Sequence, residues 1–265
     1  MLKQTKIMNK KLLLGAAVLL VGLSLSWSWK MWQGAEQPSM VSTVSAVEED
    51  EPIDTVGAVP ITQELVSEKK LSSAALISGV PFTVQAPFAE WSNPIFQDAC
   101  EEASIVMAAA WVSGKSLTKE SAKRDIQALA AYQKKLLGHS ADTSIEDTEK
   151  LLQDFLGVTT TEVKRGVMVP DIKEAVVAEK IVIVPTDGRK LGNPNFKAPG
   201  PPRHMLVIIG YDDPKAEFIT NDPGTRKGEG YRYDQTVLYE AILDYPTGKH
   251  APVTSAEKVM LTVGH

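Results

Sequence analysis

Between Ala103 and Val112 the sequence runs Ala-Ser-Ile-Val-Met-Ala-Ala-Ala-Trp-Val, with Ser104 the single polar residue. A run with no polar stripe suits a helix buried on every side, so the fold has to wrap around it. The residues ahead of the run read as a helix start. Asp98 is a suitable N-cap, because its carboxylate can accept from the free N–H groups of the first turn. Glu101, three residues on, can close a capping box, and Gly114 is a stop. Cys100, the only cysteine of the chain, then falls in the first turn, where the helix dipole favours a thiolate. A free cysteine is more often a small buried hydrophobe, so a functional reading needs partners elsewhere.

The 265 residues accommodate one large domain or two small ones. A net charge of −5 without a basic stripe gives no support to nucleic-acid binding, and one cysteine excludes an intramolecular disulfide framework. Residues 1–32 stand apart. Lys3, Lys6, Lys10 and Lys11 precede an apolar run from Leu12 to Trp29, which reads as a signal peptide or signal anchor. Trp27, Trp29 and Trp32 suit a membrane interface. Ser24-Leu25-Ser26 is a weak cleavage signal, so an uncleaved anchor is favoured, with the rest of the chain outside the cytoplasm; a secreted protein is the alternative. Residues 33–79 read as a disordered tether, because 33–68 hold eight acidic side chains and no Lys or Arg.

The folded domain is expected over 80–265. Val80–Gln85 reads as a short extended segment, followed by a loop to the Cys100 helix. Thr118 can cap a helix that ends at Gly138 and Ser144 one that ends at Gly157, while Pro170 suits the first turn of a third, through Glu179. Strands follow at 181–184, 204–209, 217–220 and 259–263. Residues 186–203 carry four Pro, three Gly and two Asn, a long irregular loop. Helices first and strands later is an α+β pattern.

The hairpin 204–222 supplies the partners. A turn centred on Asp213 or Pro214 brings His204 opposite Asp222 or its neighbour. If an odd number of residues closes the turn, the two side chains share a face, with Cβ atoms roughly 5 Å apart. The carboxylate can then fix the imidazole tautomer. An even number sends them to opposite faces. A thiol at a helix start, a base on a strand and a group that orients the base make a nucleophilic set.

With these motifs in view, the chain resembles the bacteriocin-processing, double-glycine group of papain-like cysteine peptidases, in its stand-alone, exported C39-like branch. The resemblance covers roughly 80–265. It rests on Val-Pro-x-x-x-Gln ending at Gln85, Cys-Glu-x-x-Ser from Cys100, His-Met-Leu-Val-Ile-Ile-Gly-Tyr-Asp from His204, and Asn-Asp-Pro-Gly from Asn221. It implies a papain-like fold, with the nucleophile helix packed on an antiparallel sheet that carries the histidine and the aspartate. It implies Cys100 as nucleophile, His204 as general base and then acid, Asp222 as orienting group, and a glutamine in the oxyanion hole. Gln85 stands in the family context for that last role, and Gln97 is the competing position. The implied activity is hydrolysis of peptide bonds through a thioester, by a monomer that needs no cofactor or metal.

Many members of the group have Cys-Gly-Pro where this chain has Cys-Glu-Glu, and two acids beside a thiolate raise its pKa. The chain has no Walker A loop, so the transporter role of the best-known members does not carry over. Two other readings suit the address outside the membrane. One is a cell-wall endopeptidase or amidase, although Asp-Cys-Ser-Gly is absent. The other is a tethered peptide-binding domain with a weak site.

Overall fold

The computed structural model describes residues 71–265 apart from residue 255. The expected anchor at 1–32 and nearly all of the expected tether lie outside the described residues. Among the described residues no helix is long and apolar enough to cross a membrane.

The architecture is α+β. A strand β1 (Ala74–Leu76) comes first. Four helices follow, α1 (Pro94–Gln97), α2 (Cys100–Val112), α3 (Lys119–Leu137) and α4 (Ile145–Leu156). Then come β2 (Thr161–Arg165), α5 (Val169–Val177), β3 (Ile181–Thr186), β4 (His204–Asp212), β5 (Glu217–Asn221), β6 (Tyr231–Asp234), α6 (Gln235–Ala241) and β7 (Val259–Val263). The strands form one antiparallel sheet in the order β2-β7-β3-β4-β5-β6, with β1 alongside the end of β4.

Helix α2 is the buried rod expected of its sequence: from Cys100 to Trp111 every residue except Ala109 is buried. It packs on β4, while α4 packs on β2 and β7 and α5 on β3 and β4. Strands β3 and β7 are buried throughout, and β4 is buried up to Tyr211. Strands covered on both faces have no reason to alternate, which is why they read as continuous apolar runs. Thr118 caps α3 by accepting from the Ser121 N–H at 3.1 Å, and Ser144 caps α4 from the Asp147 N–H at 3.2 Å. Both helices end on left-handed glycines, Gly138 and Gly157. Each such cap contributes about 1 kcal/mol.

The sheet begins before residue 80. Strand β1 pairs Leu76 with Gly210, and its neighbours extend the contact through Ile77 N–H to Ile209 O (2.8 Å) and Asp213 N–H to Ser73 O (2.9 Å). Three residues are too few to show a period. What admits the strand lies far along the chain: a Cβ on Gly210 would sit 2.7 Å from the Ala75 carbonyl oxygen. The segment 80–85 forms no strand. It is held by hydrogen bonds from Gln85 N–H to Pro223 O (2.9 Å) and from Asn221 Nδ2 to Val80 O (3.3 Å).

Candidate active site

His204 opens β4 and Asp222 follows β5, and hairpin geometry decides whether they meet. Four residues, 213–216, join Asp212 to its partner Glu217. An even count of this kind would turn His204 and Asp222 to opposite faces. The pairing, however, shifts by one between Gly210↔Ile219 and Ile208↔Thr220, so Ile209 is an extra, bulged residue. The bulge restores the parity. Continuing the Val207↔Asn221 register sets Asp222 opposite Leu206, on the face His204 shares by period two. The two are therefore diagonal neighbours, not the directly opposed pair that the sequence suggests.

The contact is direct. His204 Nε2 lies 2.7 Å from Asp222 Oδ1, with both side chains buried. Gly224 N–H also donates to Oδ1, at 2.9 Å. The other carboxylate oxygen accepts from the Tyr233 hydroxyl at 2.5 Å and from Asn193 Nδ2 at 3.5 Å. Burial pushes the Asp222 carboxyl up, but the attraction and hydrogen bond of the His204 ring, with those from Tyr233 and Gly224, outweigh it and hold the group below the usual carboxylate range. An ionised Asp222 accepts the Nε2 proton and leaves Nδ1 as the basic nitrogen. Phe196 closes one side of the ring edge-on, with centroids 5.2 Å apart. The backbone at Gly224 closes another: a Cβ there would meet Phe196 Cε1 at 2.8 Å and His204 Cε1 at 2.9 Å. The glycine of Asn-Asp-Pro-Gly is thus required by the ring beside it.

The sulfur side differs from expectation at its cap. Asp98 is the C-cap of α1, and the N-cap of α2 is Ala99, with no side-chain hydrogen bond. Asn93 and Pro94 start a separate short helix where a loop is expected; Asn93 accepts from the Ile95 N–H at 3.0 Å. Cys100 is then the first residue of α2, where backbone N–H groups have no intrahelical acceptor. Glu101 closes no capping box. Its Oε2 accepts from the Cys100 thiol at 3.0 Å and its Oε1 from the Tyr245 hydroxyl at 2.8 Å. Burial first, then the charge and hydrogen bond of Glu101, push the Cys100 thiol well up, against a lowering contribution from a hydrogen bond with the Met205 backbone. That backbone contact puts the sulfur beside the residue that follows His204.

Gln85, Cys100 and His204 line one cleft of about 1040 Å³, together with Gln97, Trp91 and the 195–203 segment. Asp222 supports His204 from behind. Gln85 is buried, and its Nε2 donates to Phe96 O at 3.1 Å and Gln97 O at 3.0 Å, so both of its N–H groups are engaged with the end of α1. Gln97 Nε2 donates to Trp91 O at 2.7 Å.

A family model matches residues 77–246. This chain belongs to the Peptidase_C39 like family. That settles the papain-like α+β assignment. A crystal structure from Bacillus anthracis, provisionally described as a C39-like peptidase, is similar at 14% identity with a TM-score of 0.41, over 72% of this chain and 98% of that one. No curated protein matches the sequence.

Within this C39-like site, four contributors lie outside every sequence motif. Asn193 and Phe196 sit in the proline-rich loop, Tyr233 in β6 and Tyr245 beyond α6. No spacing argument reaches them, because each touches the site through tertiary packing. The loop itself carried a signal, since its direct junction with His204 places it over the cleft.

Proposed function

We propose that this member of the C39-like peptidases is a cysteine peptidase, with Cys100 as nucleophile, His204 as base and then acid, and Asp222 as the orienting group. The observation that carries the reading is the buried His204–Asp222 pair, which opens onto the same cleft as the lone thiol. His204 Nδ1 takes the Cys100 proton, and the thiolate attacks a peptide carbonyl. The imidazolium then protonates the leaving amine, and water resolves the thioester through the same base. The Cys100 backbone N–H and the positive end of α2 favour the oxyanion. Gln85 joins them by releasing one N–H from the α1 carbonyls, and Gln97 is the second candidate for that position.

The N-terminal segment anchors the chain in the membrane, the stretch before β1 tethers it, and the domain works outside the cytoplasm on peptide or protein substrates as a monomer. Its basic flank and interfacial tryptophans support that address. A cell-wall peptide remains the competing substrate for the same chemistry.

The test is Cys100→Ala assayed on a peptide mixture with products read by mass spectrometry. Turnover is expected to fall to background, and a thioester-linked acyl group should be trapped on wild-type Cys100 but not on the variant. Residual turnover in the variant would remove the nucleophile assignment. Separate Gln85→Ala and Gln97→Ala proteins assign the oxyanion donor, at about 10²-fold or more in kcat for the one that serves.

A further inference from the structure

The acid next to the thiol has no part in the mechanism above, yet it is the group that Cys100 touches. Glu101 and Glu102 are both buried at the start of α2. Carboxylates are rarely taken out of water without a partner, and here one of the two has the reactive sulfur as its partner. Glu101 is gripped from two elements: the Cys100 thiol donates to Oε2 at 3.0 Å and the Tyr245 hydroxyl to Oε1 at 2.8 Å. Tyr245 is itself buried, so it fixes the direction in which the carboxylate points.

We propose that Glu101 is a positioning residue that holds the resting thiol in its protonated form, and so sets the pH at which Cys100 becomes a nucleophile. The proposal rests on Cys100 being the nucleophile, and it adds a control that the three-residue mechanism lacks. A thiol that donates to a carboxylate is stabilised as S–H, and a thiolate in the same place would face a negative charge across a buried contact. For the nucleophile to form, the S–H···O contact breaks, the proton passes to His204 Nδ1, and the new S⁻ is left beside the Glu101 carboxyl. The last step is easier when Glu101 is neutral.

The surroundings act in the same direction. Glu102, on the same helix, pushes the thiol up, and Asp142, from the α3–α4 connection, pushes the Glu101 carboxyl up, while Asp98 at the end of α1 raises Glu102. Asp142 is partly offset by the Arg203 guanidinium at 3.3 Å and accepts a hydrogen bond from the His250 backbone N–H at 2.9 Å. On the β4 side the sulfur meets the Met205 backbone. Burial and Asp142 raise the Glu101 carboxyl, while the Cys100 and Tyr245 hydrogen bonds lower it, and the balance is upward.

Two measurements test this on the full chain. Glu101→Gln keeps the size of the side chain and an acceptor for Tyr245 but removes the charge. Alkylation of Cys100 by iodoacetamide at pH 7 is expected to run about tenfold faster in the variant, with the rate–pH curve displaced to lower pH by about one unit. A rate within twofold of wild type, or a slower one, overturns the proposal; the slower result would make Glu101 an aid to deprotonation. The second measurement needs no variant. With a single cysteine in the chain, the infrared S–H stretch reports Cys100 alone. It should lie below the frequency of a free thiol in wild-type protein, and a band at the free-thiol position sinks the idea. Both readouts follow the thiol without hydrolysis, so they can fail while the Cys100→Ala result stands, or the reverse.

Discussion

The two walls of the cleft are built on opposite principles. On the β-hairpin wall the buried carboxylate is fully partnered: Asp222 accepts from His204, Gly224, Tyr233 and Asn193 and is held below the usual carboxylate range. On the α2 wall acids crowd together, Glu101 and Glu102 are both pushed up, and one oxygen of Glu102 has no hydrogen-bond partner. A satisfied network rigidifies and a partly satisfied one does not. The comparison teaches that the imidazole is set in a partnered network, while the thiol sits among acids that burial pushes up.

The sharpest attempt to break this contrast is His204→Ala. If the hairpin wall supplies the base, peptide turnover at neutral pH should fall on the order of 10³-fold, and a loss below tenfold would deny that wall its role. Gly224→Ala asks whether the wall is rigid. Its new methyl has to displace Phe196 or the His204 ring, so a loss of about 1–3 kcal/mol in denaturant unfolding is expected, together with reduced turnover; a neutral result would mean that the wall gives way.

The smallest effect sharpens the contrast through pH. Asp222 has its pKa lowered from 3.8, so its stabilisation is present above that value and is lost as pH falls through the folded-state pKa. Glu102 is raised well above 4.5, first by burial and then by the charge of Glu101. Its folded form keeps the proton that the unfolded chain releases, so it favours folding least as pH rises from 4.5 toward its folded-state pKa. Glu102→Gln should therefore melt like wild type near pH 4 and higher than wild type at pH 7–8, each kcal/mol gained reading as about 2–4 °C. Equal melting temperatures across that range would show that the α2 wall carries no such burden.

What could be seen in advance divides along local and non-local lines. The starts and ends of α3 and α4 were visible because a cap and a glycine stop are local chemistry. Strands β3, β4 and β7 were visible as apolar runs. Strand β2, Thr-Glu-Val-Lys-Arg, was missed because it lies on the sheet edge, half exposed, where composition does not distinguish it from loop. Strand β6 and α6 sit in a polar stretch whose order comes from contacts with β5. At the site, Cys100, His204, Asp222 and Gln85 were nameable from residue type and motif, and the Asp98 cap was misplaced because Asn93-Pro94 starts its own turn of helix. The role of Glu101 as the partner of the thiol could not be read at all, since adjacency in sequence says nothing about which way a buried carboxylate points.

The single bulged residue in β4 has a consequence for how this hairpin can change over time. Four connecting residues and one bulge together decide which face the imidazole and its carboxylate present. Losing either the bulge or one turn residue would turn them away from each other, and losing both would reunite them. Length variants between His204 and Asp222 should therefore survive only in even steps, a tolerance rule that a library of insertions and deletions would reveal without any knowledge of the substrate.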